Sequence, residues 1–137
     1  MNFDNYTIKS QQALQQALQI AHEFEHQQIE CEHIFLGMKA IDDNVLPFLL
    51  KQLKLNPIAL EQVAKKEIDR YPKVRGGQQT LSAVAAKTLN EAVVISKKSG
   101  GDFVSIEDLF LAIFKTKNSI SKVLKDQGIT WKLLSLF

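Results

Sequence analysis

A single cysteine, Cys31, leaves this chain unable to close an internal disulfide, so nothing in it calls for an oxidising compartment. The sequence has no Gly-x-x-x-x-Gly-Lys-Ser/Thr segment and hence no phosphate-cradling P-loop. No apolar run approaches the ~20 residues that a membrane span needs. The start, MNFDNYTIKS, lacks the basic segment followed by an apolar one that marks a secretory signal. Neither sign of charge prevails: 17 basic and 15 acidic residues leave a formal +2, too little to imply a nucleic-acid partner. Strict apolar–polar alternation is missing too, so no sheet is expected. Together these absences point to a soluble, cytoplasmic, all-α chain.

What is present is an ordinary globular composition, 45% hydrophobic and 23% charged over 137 residues, enough to bury a core without staples. It is also a repeat. Ile29 and Val104, Glu32 and Glu107, Phe35 and Phe110, and Leu36 and Leu111 are each 75 residues apart, as are Leu14 and Leu89, Ala17 and Ala92, and Ile20 and Ile95. Further on the interval is 74, pairing Leu46 with Ile120, Leu50 with Leu124 and Leu55 with Ile129. One residue has been lost, and a turn is the place where loss is tolerated.

The spacing predicts eight helices in two four-helix repeats. Repeat one covers about residues 1–70, a linker covers about 71–80 (YPKVRGGQQT), and repeat two covers about 81–137. Thr7 suits the N-cap of the first helix. Ile8, Ala13, Leu14, Ala17, Leu18, Ile20, Ala21 and Phe24 form its buried face, and the alanines allow close approach of a neighbour. A second helix begins at Glu30 or Cys31, after Ile29 as an apolar plug. Asp42-Asp43-Asn44 breaks the chain, and Pro47 falls in the first turn of the third helix. Asn56-Pro57 caps the fourth, with Ile58, Leu60, Val63, Ala64 and Ile68 inward. Repeat two follows suit, with Ser82 or Thr80 as cap, a stop at Gly100-Gly101, Val104 as plug, a capping box at Ser105–Asp108 and a last short helix from Thr130. The glycines are read as helix ends, and Phe24, Phe35, Phe48, Phe103 and Phe110 as core. The two repeats are expected to pack about a near two-fold axis.

Catalytic chemistry is hard to find. His22 and His26, four apart, could share a helix face, but no third ligand follows at zinc-like spacing, so surface and cap histidines are expected. Cys31 has only His33 nearby, on another helical face, and reads as a small buried side chain rather than a nucleophile. Glu32 and Glu107 read as first-turn acids facing a helix dipole.

Several segments carry a resemblance: F-x-x-x-T-I-K-S-Q-x-A-L from Phe3, I-E-x-E-H-I from Ile29, N-V-x-P-F-L-L-K-x-L from Asn44, Y-P-K-V-x-G-G-Q from Tyr71, and G-D-F-V-S-x-E-D-L from Gly101. In order and spacing they resemble the N-terminal domain of the Clp/Hsp100 AAA+ unfoldases, nearest to the ClpB disaggregase branch. The resemblance implies one domain that sits flexibly on a hexameric ATP-driven ring and hands unfolded or aggregated clients to its pore. ATP and Mg would belong to AAA+ modules absent from this chain, so no cofactor, metal or catalytic residue is expected here, and the isolated domain is expected to be a monomer. The alternatives are an adaptor-docking domain of the ClpA/ClpC type and a stand-alone relative. The resemblance assigns client contact to Thr7, Asp102 and Glu107, with Ile95 as a wall residue of an apolar groove between the repeats. Each of the three polar residues also has a bracing role available, as N-cap, turn residue and first-turn acid. Two positions depart from the family pattern: Cys31 replaces a frequent Pro or Thr, and Asp108 a frequent His.

Overall fold

Local chemistry sets the helix starts. In the computed structural model, which describes residues 3–136, the Ser10 amide donates to the Thr7 hydroxyl at 3.1 Å and opens α1 (Ile8–Glu23). The related cap, Ser82, accepts from the Ala85 amide at 3.0 Å and opens α5 (Ala83–Lys98). Helix α2 (Cys31–Ile41) starts at Glu30, whose amide donates to His33 Nδ1. Helix α6 (Ile106–Lys115) starts in the expected capping box, with Ser105 and Asp108 exchanging hydrogen bonds. Helix α3 (Val45–Gln52) has no side-chain cap from Asn44; instead Asp42 accepts from the amides of Asn44, Val45 and Leu46. Helix α4 (Pro57–Ile68) takes Asn56 as cap and Pro57 as first residue. Asn118 caps α7 (Ser119–Asp126), and Thr130 caps the one-turn α8 (Trp131–Leu134).

The repeats are laced together rather than merely adjacent. The plug of each pairs in parallel with the segment before the first helix of the other. Gln28–Ile29 (β1) lies against Thr80–Leu81 (β2), and Val104 bridges Tyr6. The Ser82 amide donates to the Ile29 carbonyl at 3.1 Å, and the Thr7 amide to the Val104 carbonyl at 2.9 Å. Adding 75 to Thr7 and Ile29 gives Ser82 and Val104, so these bonds are two-fold mates. The eight helices stand as expected, and this two-residue ladder is added where no sheet was expected. The ladder needs no alternation because each strand is only two residues long, too short for a period to show.

The core is built around α2 and α6. Ile34, Phe35 and Met38 of α2 and Leu109, Phe110 and Ile113 of α6 are fully buried, flanked by the repeat mates Leu46 with Ile120 and Leu50 with Leu124. Each such side chain contributes roughly 1.5–3 kcal/mol. Several expected core residues are outside it. Ile8, Phe48, Ile58 and Phe103 are more than half exposed, and Phe24 and Leu18 are also exposed. The turns 42–44 and 116–118 are equally long, so the missing residue comes from the helix: α2 has 11 residues and α6 has 10. Gly37 lies inside α2, not at an end. A Cβ there would collide with the Ala13 carbonyl and lie 2.9 Å from the Ala17 nitrogen. The alanines of α1 do allow a close approach, and Gly37 is what approaches.

Candidate functional site

Three of the four expected contact residues divide between clefts on two sides of α5. Ile95 and Glu107 line one cleft of about 340 Å³, walled by α5, α6 and α8, together with Leu111, Trp131 and Leu134. Asp102 lines another, of about 280 Å³, with Asn5, Ser96 and Lys97. At about 100° per residue, Ile95 and Lys97 point away from each other. Thr7 lines neither cleft. Its hydroxyl is committed to the Ser10 amide and donates to Ser10 Oγ at 2.9 Å. The Ile95 cleft lies within repeat two, whereas the groove expected from the sequence lay between the repeats.

Repeat symmetry separates the two glutamates. Glu32 is 3% exposed and fully engaged. Its carboxylate accepts from the Tyr71 hydroxyl at 3.1 Å, the Ser119 amide at 2.9 Å and the Ser119 hydroxyl, so it caps α7 of the other repeat and fastens the linker. Three donors on one buried carboxylate are worth several neutral hydrogen bonds. Glu107, its mate, is half-buried at the cleft and makes no hydrogen bond or ion pair among the described residues. The Glu32 knot was invisible in the sequence because its partners lie 39 and 87 residues away. The one available hint was the tyrosine that begins the linker motif.

The histidines are not all at the surface. Helix α1 ends at Glu23, so His26 leaves His22 and meets His33 instead, Nδ1 to Nε2 at 3.0 Å, with both rings buried. The Tyr71 ring packs edge-on to His26 at 5.6 Å. Burial lowers the pKa of both, that of His33 to about 4 with further help from its neighbour His26. Burial likewise pushes the Cys31 thiol up to about 11, although a hydrogen bond with Thr88 opposes this, so the sulfur is neutral and unreactive at ordinary pH. Among the described residues no cluster of three or more His, Cys, Asp or Glu could hold a metal, and no helix is long and apolar enough to cross a membrane.

An interlaced pair of four-helix repeats with clefts along its long helices is the architecture of the Clp N-terminal domains. The Clp repeat (R) N-terminal domain model matches residues 5–127, and the chain belongs to that family. It is 40% identical over 134 residues to the chaperone protein ClpB of Bacteroides thetaiotaomicron, an alignment that takes in 98% of this chain but only 16% of that chaperone. Its fold is that of the Hsp104 N-terminal domain from Candida albicans (TM-score 0.82 at 16% identity, over 97% of this chain and 88% of the other). It also resembles the N-domain of ClpV solved in complex with a VipB peptide (TM-score 0.62, 24% identity, 98% and 78% covered).

Proposed function

We propose that this chain is the client-recognition domain of a ClpB-type, ATP-dependent protein disaggregase. In this reading residues 1–137 act as one cytoplasmic domain, and the ATP- and Mg-dependent hexameric ring lies in other modules. The Ile95 cleft holds apolar segments that unfolded or aggregated clients expose and folded proteins conceal. The observation that carries the reading is the inequality of the repeat-related glutamates. Glu32 braces the fold, while Glu107 keeps an unengaged carboxylate at the rim of a cleft floored by Ile95, Leu111, Trp131 and Leu134. Such a rim can accept main-chain amides of an extended segment whose apolar side chains enter the floor. Identity to a ClpB chaperone supports the disaggregase assignment, and the peptide held by the ClpV N-domain supports segment binding by this fold.

Trp131, the only tryptophan, lines the cleft and reports on it directly. Titration with a reduced, alkylated and permanently unfolded protein should shift its emission, whereas the same protein in native form should not. Glu107→Ala should weaken that binding about fivefold, ~1 kcal/mol, and leave stability within about 0.5 kcal/mol. An unmoved Trp131 signal with the unfolded protein sinks the proposal. A shift produced only by an intact folded partner would instead favour the adaptor-docking reading.

A further inference from the structure

A cleft larger than those of Ile95 and Asp102 is a different one, and it does lie between the repeats. It measures about 720 Å³ and runs along the end of α4, the α6–α7 turn and α7. Arg70, Lys115, Lys117, Lys122 and Lys125 line it, against only two carboxylates, Glu67 and Asp126. Five cations against two anions is a local excess of three in a chain whose whole formal charge is +2. The cleft thus gathers more net positive charge than the chain as a whole carries.

The internal pairing leaves two of those three charges available, since Lys115 reaches Glu91, outside the cleft, at 3.5 Å. Arg70 pairs with Glu67 at 3.2 Å and Lys122 with Asp126 at 3.8 Å, both in exposed positions where such pairs are worth little and exchange readily. Lys117 makes no ion pair among the described residues, and Lys125 lies only over the Phe114 ring, at 5.3 Å. The neutral polar groups of the wall are already engaged: Asn118 with Ile113, Thr116 and Ser121, and the Ser119 hydroxyl with Glu32. A ligand would be recognised by its carboxylates and not by a hydrogen-bond pattern.

We infer that this cleft docks an acidic peptide segment, rich in Asp and Glu, of a partner protein. Its volume suits several residues of peptide and exceeds what one small anion fills. Nucleic acid fits less well. No aromatic side chain lines the cleft to stack a base, and an excess of three charges covers few phosphates. The site is separate from the Ile95 cleft, although Lys115 lines both, and it does not depend on that cleft binding clients.

The test is fluorescence anisotropy on the full chain with a labelled Glu-rich peptide, a Ser-Gly peptide of equal length and a single-stranded RNA oligonucleotide. Lys115 is left intact because the two clefts share it. The acidic peptide should bind best and weaken steeply as salt is raised, since exposed charges are screened beyond ~10 Å at 0.1 M. The double change Lys117→Gln and Lys122→Gln, both at exposed positions, should cost about tenfold in affinity. Lys87→Gln, an exposed cation outside the cleft, should cost nothing. The inference is overturned if the Ser-Gly peptide binds as tightly, if the double variant binds as before, or if the RNA binds more tightly than the acidic peptide. The Trp131 titration with unfolded protein stands or falls separately.

Discussion

Glu25 and Lys54 hold the backbone at φ 58°, in the left-handed region that side chains disfavour. Each ends a helix in the same way. After α1, the Glu25 and His26 amides turn back to the His22 and Ala21 carbonyls; after α3, the Lys54 and Leu55 amides turn back to Lys51 and Leu50. Repeat two makes the same two turns with Gly100 and Gly128 at the mated positions, φ 80° and 84°. One repeat thus bears a strain that the other avoids by lacking a Cβ. Glu25 has some compensation, an ion pair with Arg75 at 3.5 Å, but exposed Lys54 has none. Lys54→Gly should therefore stabilise the fold, by about 0.5–1 kcal/mol once the greater freedom of glycine in the unfolded chain is deducted. The urea midpoint should rise with an unchanged slope; a lower midpoint would show that Lys54 makes a contribution that outweighs its backbone cost.

Between elements, α1 and α2 approach closely where Gly37 faces Ala13 and Ala17. The related pair, α5 on α6, has Ala112 facing Thr88 and Ala92, so it carries more atoms at the same crossing. Gly37→Ala would press a methyl into the backbone of α1, and backbone cannot rotate away as a side chain can. The expected cost is about 1–3 kcal/mol, although alanine is the better helix former by up to ~1 kcal/mol. Thermal unfolding decides this: a variant as stable as the parent would mean that the two helices part easily. Gly37 also shows where sequence reading runs out. Caps and three-to-four spacing located all eight helices, because Thr7, Asn56, Ser82, Ser105 and Thr130 act on amides two or three residues away. Apolar type alone could not say which face meets a neighbour. Phe35 and Phe110 are buried while Phe48 and Phe103 are exposed, and nothing local distinguishes them. The Glu32 knot, the His26–His33 contact and the basic cleft each join residues from different elements. Glu107 and Ile95 were legible through repeat and resemblance, but that they share a cleft with Trp131 was not.

At the scale of the whole molecule, stability is tied to pH through the buried imidazoles that hold linker and repeat together. The Glu30 amide donates to His33 Nδ1, which fixes that nitrogen as an acceptor and leaves Nε2–H to point at His26 Nδ1. Protonating His33 breaks the α2 cap, and protonating His26 at Nδ1 breaks the contact between the rings. Burial is the first cause of both lowered pKa values, and the occupied lone pairs work in the same direction. The unfolded chain takes up its protons near 6.5, whereas folded His33 does so only near 4. Between those values the unfolded state binds more protons, so stability is complete above about 6.5 and falls as pH drops towards 4, by on the order of 2–3 kcal/mol from His33. Asp42 extends the fall. Burial alone would raise its pKa, but the amides of Leu46, Asn44 and Val45 and the Lys9 ammonium outweigh it, and their contribution is lost only below about 3.8. On the alkaline side the sign reverses. The Cys31 thiol is raised from 9.0 to about 11, so its contribution is present below 9 and lost as pH rises through 11. Urea midpoints should therefore form a plateau from about 6.5 to 9 and decline on either side. His33→Gln can still accept from the Glu30 amide and does not titrate, so it should flatten most of the acid slope between 6.5 and 4. An acid slope of the same size in that variant would move its origin away from the His26–His33 contact.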